Sequence, residues 1–130
     1  MTDTKPLSAR TAIITGASSG IGRAIAMHLA EAGAHTFLSG RTTAAMDDAK
    51  KEIEEAGGTA TVITADVRDV SQVYGLVDAA VEATGHLDIM VNNAGLSYPA
   101  PILEGDPEEW RSMLETNILA LLVGCQAAVK

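Results

Sequence analysis

The segment Thr15-Gly16-Ala17-Ser18-Ser19-Gly20-Ile21-Gly22 limits what this chain can fold into more than any other. It follows a short apolar run, Thr11-Ala12-Ile13-Ile14, and opens an amphipathic run from Arg23 to Ala32. An apolar strand, a glycine turn and a helix, in that order, make a place to hold a phosphate. Glycines let the backbone turn tightly and approach a ligand because no Cβ intervenes. The helix beginning there presents unpaired N–H groups and the positive end of its dipole to an anion. A P-loop would need Gly, four residues, then Gly-Lys-Ser/Thr. Gly22 is followed by Arg23 and Ala24, so that reading fails. The common dinucleotide turn is G-x-G-x-x-G. The glycines here, Gly16, Gly20 and Gly22, are spaced G-x-x-x-G-x-G, a longer turn with the same physics.

Strands and helices alternate along the rest of the chain. The pattern predicts strands at 11–15, 35–39, 59–64 and 87–91. Helices are expected at 20–32, 43–56, 71–84 and from Pro107 to the C-terminus. Gly33, Gly57-Gly58 and Gly85 follow helix ends, as glycine does at C-caps. Ser71 and Asp106 stand at N-cap positions, with Pro107 at the first position of the last helix. Strands joined by helical crossovers run parallel, which predicts an α/β fold: a doubly wound sheet with helices on both faces. No repeat, low-complexity tract or linker interrupts it, so residues 1–130 read as one unit, a single domain or part of one.

Ligands of such sheets bind beyond the carboxyl ends of the strands, and this chain carries polar or small residues there each time. After the second strand comes Ser39-Gly40-Arg41. An NAD site usually places an acidic residue here, roughly 20 residues beyond the glycine turn. A carboxylate would repel a 2′-phosphate, whereas Arg41 attracts one and can bind it bidentately. NADP(H) is therefore expected in preference to NAD(H), against the plainer reading of Arg41 as a solvated loop residue. Asp66-Val67 follows the third strand. Its carboxylate suits an adenine amino group with Val67 on the ring, or equally an Asx-turn. Asn92-Asn93-Ala94-Gly95 follows the fourth: asparagine amides can pin adjoining loops, and Ala94 and Gly95 admit a ribose.

Composition narrows the classes. A hydrophobic content of 47% supports a packed core. Phe37, Tyr74, Tyr98 and Trp110 are the only aromatics besides histidine, so packing rests on Ala, Val, Ile and Leu. A net charge of −8 argues against a nucleic-acid partner. Cys125 is the single cysteine and cannot form an internal disulfide, which fits a reducing, cytoplasmic setting. Met1 to Pro6 lacks the apolar stretch of a signal peptide. The apolar run Ile118–Val123 is too short to span a bilayer, so no membrane partner is expected.

Taken together, Thr15-Gly16-x-x-x-Gly20-Ile21-Gly22, Asp66, Asn92-Asn93-Ala94-Gly95 and Asn117 resemble the short-chain dehydrogenase/reductase family, in its plain, non-extended branch. The resemblance runs from Arg10 to Lys130. It implies a Rossmann-type fold and an enzyme moving a hydride between NADP(H) and a small alcohol or carbonyl substrate. It also implies that Gly16, Ser18, Ser19, Gly20, Ile21 and Gly22 line the pyrophosphate and ribose, with Arg41 on the 2′-phosphate. Asp66 and Val67 would meet the adenine; Asn92, Ala94 and Gly95 would sit by the adenosine ribose and the approach to nicotinamide. Asn117 would match the family's helical asparagine, which holds a water in the proton relay. On residues alone, Asn117 lies within the apolar face formed by Trp110, Met113, Leu114, Ile118, Leu121, Leu122 and Cys125, where a bonded structural amide is the competing reading.

One family element is missing. The working acid of such enzymes is a tyrosine in Tyr-x-x-x-Lys, helped by a serine; the ammonium lowers the phenol pKa. Here Tyr74 is followed four residues on by Asp78, and Tyr98 by Ile102. The chain is therefore expected to be the N-terminal half of a longer enzyme, catalytically incomplete alone. Two alternatives are a nonenzymatic NADP(H) sensor and an assembly module. The apolar last helix and the edge of the fourth strand are expected to drive association, with the full enzyme a dimer or tetramer. The loop 96–105, with Tyr98, Pro99 and Pro101, is expected to form one wall of the substrate pocket.

Overall fold

A computed structural model describes residues 5–98 and 100–130. Of the expectations above, those resting on Met1 to Thr4 and on Pro99 lie outside the described residues. Four parallel strands form one sheet in the order β3-β2-β1-β4. They are β1 Thr11–Thr15, β2 His35–Gly40, β3 Thr59–Thr64 and β4 Ile89–Val91. Helices α1 (Gly20–Glu31), α2 (Thr43–Glu55) and α3 (Val70–Thr84) link them, and α4 (Pro107–Leu114), a π-helical turn (Glu115–Leu119) and α5 (Ala120–Val129) follow.

β1 and β2 are buried on both faces, which explains why they read as apolar runs rather than alternating ones. Successive residues still point to opposite sides. Ala12, Ile14 and Leu38 join Ala26 and Ala30 of α1 and Met46, Ala49 and Ile53 of α2 in one cluster. Ile13 and Phe37 join Leu76, Val77 and Ala80 of α3 and Ala127 of α5 in another. Helices thus cover both faces, as a Rossmann-type sheet requires. The many alanines let helices sit close to the sheet, with Phe37 the one large aromatic buried between layers.

Two element ends differ from the sequence expectation. Asp69, not Ser71, caps α3: its carboxylate accepts from Ser71 N at 3.0 Å and from Ser71 Oγ at 2.7 Å. Ser71 is inside the helix as the capping donor. β4 starts at Ile89 rather than Leu87, because the Asp88 side chain turns in to accept from Thr11 N at 2.8 Å. β1 sits between β2 and β4, so the carboxyl ends of β1 and β4 adjoin, with Ile14 paired to Val91.

The last helix is continuous from Pro107 to Val129, 23 residues that by length and composition alone would cross a bilayer. That exceeds the run Ile118–Val123 considered above. Its inner stripe, Ala120, Val123, Gly124 and Ala127, is buried. α5 packs on α3 and the end of β4, and the Tyr74 hydroxyl donates to Gln126 Oε1. Leu114, Ile118 and Leu122 face outward.

Gly22 is the tightest packing point of the glycine turn. A Cβ there would stand 2.2 Å from the Gly16 carbonyl oxygen and 2.5 Å from Asn93 Nδ2. Gly22→Ala should cost about 1–3 kcal/mol through overpacking, measured by chemical denaturation. An unchanged midpoint would contradict this packing.

Candidate cofactor-binding site

The end of β1 is fastened to the end of β4 by one hydroxyl. Thr15 Oγ1 accepts from Asn93 N and Ala94 N, each at 3.0 Å, and donates to Val91 O at 3.3 Å. Asn93 Nδ2 then donates to Gly16 O at 3.2 Å. The amide pin expected of the Asn-Asn pair is therefore made by Asn93. Ala17 N bonds Ser39 O at 3.1 Å and Ala65 N bonds Gly40 O at 3.0 Å, so all four strand ends are stitched in sequence.

This rim encloses a cleft of about 280 Å³. Of the residues expected at a cofactor, Gly16, Ser18, Ser19, Arg41, Asp66, Val67, Ala94 and Gly95 all line it. Gly16 has φ +64, a left-handed backbone that favours glycine. Gly20 and Ile21 lie outside the lining, exposed on the first turn of α1, with Ile21 72% accessible. Gly22 is buried beneath the turn. Asn92 points away from the cleft to α5: Nδ2 approaches Cys125 Sγ at 3.5 Å, and a Cβ on Gly124 would meet Oδ1 at 2.1 Å. Gly124 is thus the residue that lets α5 close on the end of β4.

The electrostatics suit an anion. Ser19, the α1 N-cap, makes no side-chain bond to the first turn, and no acidic residue stands there. The helix N–H groups keep their hydrogen-bonding capacity, and the positive end of the dipole is uncancelled. Arg41 is exposed on the cleft and has no ion pair among the described residues.

Asp66 is the centre of an Asx-turn. Oδ1 accepts from Arg68 N at 3.0 Å and from Nε at 3.1 Å, and Oδ2 accepts from Nη2 at 2.8 Å. Arg68 Nη1 reaches on to Ser112 Oγ of α4 at 2.8 Å. Arg68 also lines the cleft and was not among the residues singled out in the sequence. Its bidentate grip holds the Asp66 carboxyl below the usual carboxylate range, with a smaller push from Arg41.

Asn117 lies in the π-helical turn and is exposed. The face its spacing placed it in is itself exposed at Leu114, Ile118, Leu121 and Leu122, so what differs from the expectation is the burial of that face. Asn117 Nδ2 donates to Leu96 O and Oδ1 accepts from Leu96 N, both at 2.8 Å. The amide therefore pairs with both the N–H and the C=O of Leu96 and fixes the loop after β4. π turns inside helices are frequent at functional sites. Asn117 does not line the cleft itself, but Leu96, which it holds, and Thr116 beside it do.

Residues 10–130 match the family model of the short chain dehydrogenases. The chain belongs to that family. It is 43% identical over 125 residues to an uncharacterized oxidoreductase of Methylorubrum extorquens, covering 95% of this chain and 50% of that protein. It is 40% identical over 119 residues to an (S)-acetoin-forming diacetyl reductase of Staphylococcus epidermidis, covering 92% and 46%. A metagenomic short-chain oxidoreductase crystallised with NADP superposes with a TM-score of 0.91 at 32% identity, covering 95% of this chain and 56% of that one. The chain spans about half the length of the curated relatives it matches. A Rossmann-like parallel sheet is what the family leads one to expect, and the four-strand sheet described above is its N-terminal portion.

Because Arg68 depresses the Asp66 pKa in the folded state, the pair stabilises the fold above the unfolded carboxyl pKa. That contribution is lost as pH falls through the lower folded value. NMR titration should show Asp66 protonating below the usual carboxylate range in the wild type and at higher pH in Arg68→Met. Equal titration in both proteins would refute the coupling.

Proposed function

We propose that residues 1–130 are the nucleotide-binding part of a single NADP(H)-dependent oxidoreductase domain, acting on a small alcohol or carbonyl compound in the cytoplasm. The observation that carries this is the cleft itself. An uncapped helix N-terminus, a left-handed glycine turn and an unpaired guanidinium converge on one rim. The NADP complex of the metagenomic relative supports the same cofactor.

In this reading the first turn of α1, with Gly16, Ser18, Ser19, Gly20, Ile21 and Gly22, holds the pyrophosphate and its ribose. Arg41 takes the 2′-phosphate. Asp66 and Val67 face the base, Asp66 with acceptor capacity left beside its Arg68 bonds. Asn92, Ala94 and Gly95 shape the approach to the ribose, with Asn92 acting through the α5 contact. When bound, the dinucleotide supplies or accepts a hydride. Asn117 fixes the Leu96 peptide and so the wall past which a substrate enters, and its place in the proton relay follows from family resemblance. The tyrosine and lysine that exchange the substrate proton are taken to lie outside these residues, since neither Tyr74 nor Tyr98 has a lysine four positions on.

Calorimetric titration tests the cofactor. Arg41→Ala should weaken NADPH binding about tenfold to a hundredfold, the loss of a charge-assisted bond, and leave NADH binding unchanged. A wild type that does not prefer the phosphorylated cofactor would overturn the assignment.

We further propose that copies of this chain associate through the outward face of the last helix, where Leu114, Ile118 and Leu122 are exposed. Light scattering should find oligomers, and Ile118→Glu should shift them toward monomer. A wild-type monomer would count against it.

A further inference from the structure

The helices α1, α2, α3 and α5 each bury three residues or more, whereas α4 buries none. Elements with few buried contacts open locally most readily. What holds α4 in place is therefore polar. Among the described residues, two side-chain hydrogen bonds tie it to the strand-end loops. Arg68 Nη1, from the loop after β3, donates to Ser112 Oγ at 2.8 Å. Tyr98 N, from the loop after β4, donates to Met113 Sδ at 3.3 Å. A thioether sulfur is a weak acceptor, so the guanidinium is the stronger tie.

Arg68 divides its donors between that helix and the cleft. Nε and Nη2 sit on the Asp66 carboxylate at 3.1 and 2.8 Å, while Nη1 reaches Ser112. The fork is planar and rigid, so how one side is seated sets where the other points. Arg68 and Asp66 both line the cleft, and Ser112 does not. Their side chains are 32% and 30% accessible, so water competes for the ion pair and keeps it weak. A molecule covering Asp66 and Val67 would displace that water. The lower local dielectric would then strengthen the pair and hold the guanidinium in one geometry.

We propose that Arg68 is a positioning residue that transmits occupancy of the cleft to α4. Nucleotide seated over Asp66 and Val67 steadies the Arg68–Ser112 bond, and through it the helix. This rests on the cofactor reading above and carries it to an element that does not touch the ligand. The loop after β4 hangs on the same helical stretch, Tyr98 by way of Met113 and Leu96 by way of Asn117. It is steadied together with the helix.

Backbone hydrogen exchange with and without NADPH, alongside calorimetry on the same proteins, tests this. In the wild type NADPH should slow the α4 amides about threefold to tenfold. Ser112→Ala should bind NADPH within about twofold of wild type, exchange faster at α4, and show no slowing there on binding. Ser112→Thr, which keeps the hydroxyl, should restore the slowing. If NADPH slows α4 in Ser112→Ala by the same factor as in wild type, the bond is structural only and the proposal is wrong. It is equally wrong if NADPH binds the wild type and leaves α4 exchange unchanged. If calorimetry finds no NADPH binding to the wild type, the cofactor reading itself fails and the proposal with it.

Discussion

A single buried hydroxyl holds the working rim together. Thr15, at the last position of the central strand, closes the β1 turn onto the β4 turn by accepting two consecutive backbone N–H groups and donating to a third residue. Both loops are irregular, and neither has a ladder partner for those amides. Without the hydroxyl, Ala94 N would be stranded near the sheet, and Asn93 N would keep only its bond to Val91 O at 3.1 Å. With it, the Asn93 amide is aimed at the Gly16 carbonyl, and the glycine turn acquires its floor. The positions of Gly16, Ala94 and Gly95 about one cleft follow from that fastening.

The layers beneath are built for proximity. Alanines of α1 and α2 meet Ala12, Ile14 and Leu38, so the helices approach the sheet closely. Close approach brings the start of α1 to the strand ends, where its unsatisfied N–H groups can act on a ligand. On the other face α5 comes down on β4 at Gly124, and there the limit is set by the Asn92 amide rather than by an apolar side chain. Packing and site are therefore linked on both sides of the sheet, through Gly22 on one and Gly124 on the other.

Much of this was legible in the residue order. The strand–turn–helix beginning, the parallel topology and the siting of residues at strand ends follow from apolar periodicity and glycine placement, which are local. What depended on distant partners was not legible. Asp66 gave two even readings because a carboxylate and an arginine two residues on look the same whether or not they pair; the Asx-turn and the Arg68–Ser112 bond to α4 appear only once the loops meet. Asn117 falls on an apolar face, as its spacing indicates, but that face is exposed, and spacing alone does not say which face of a helix meets the sheet.

The π turn also constrains how such a helix can change its length. It stores one residue more than an α-helix of the same span would need. Deleting a residue between Glu115 and Leu119 would restore regular winding without shortening the rod. It would also alter the turn from which the Asn117 amide reaches Leu96. The surplus residue is what allows one helix to serve a loop at its beginning and a sheet at its end.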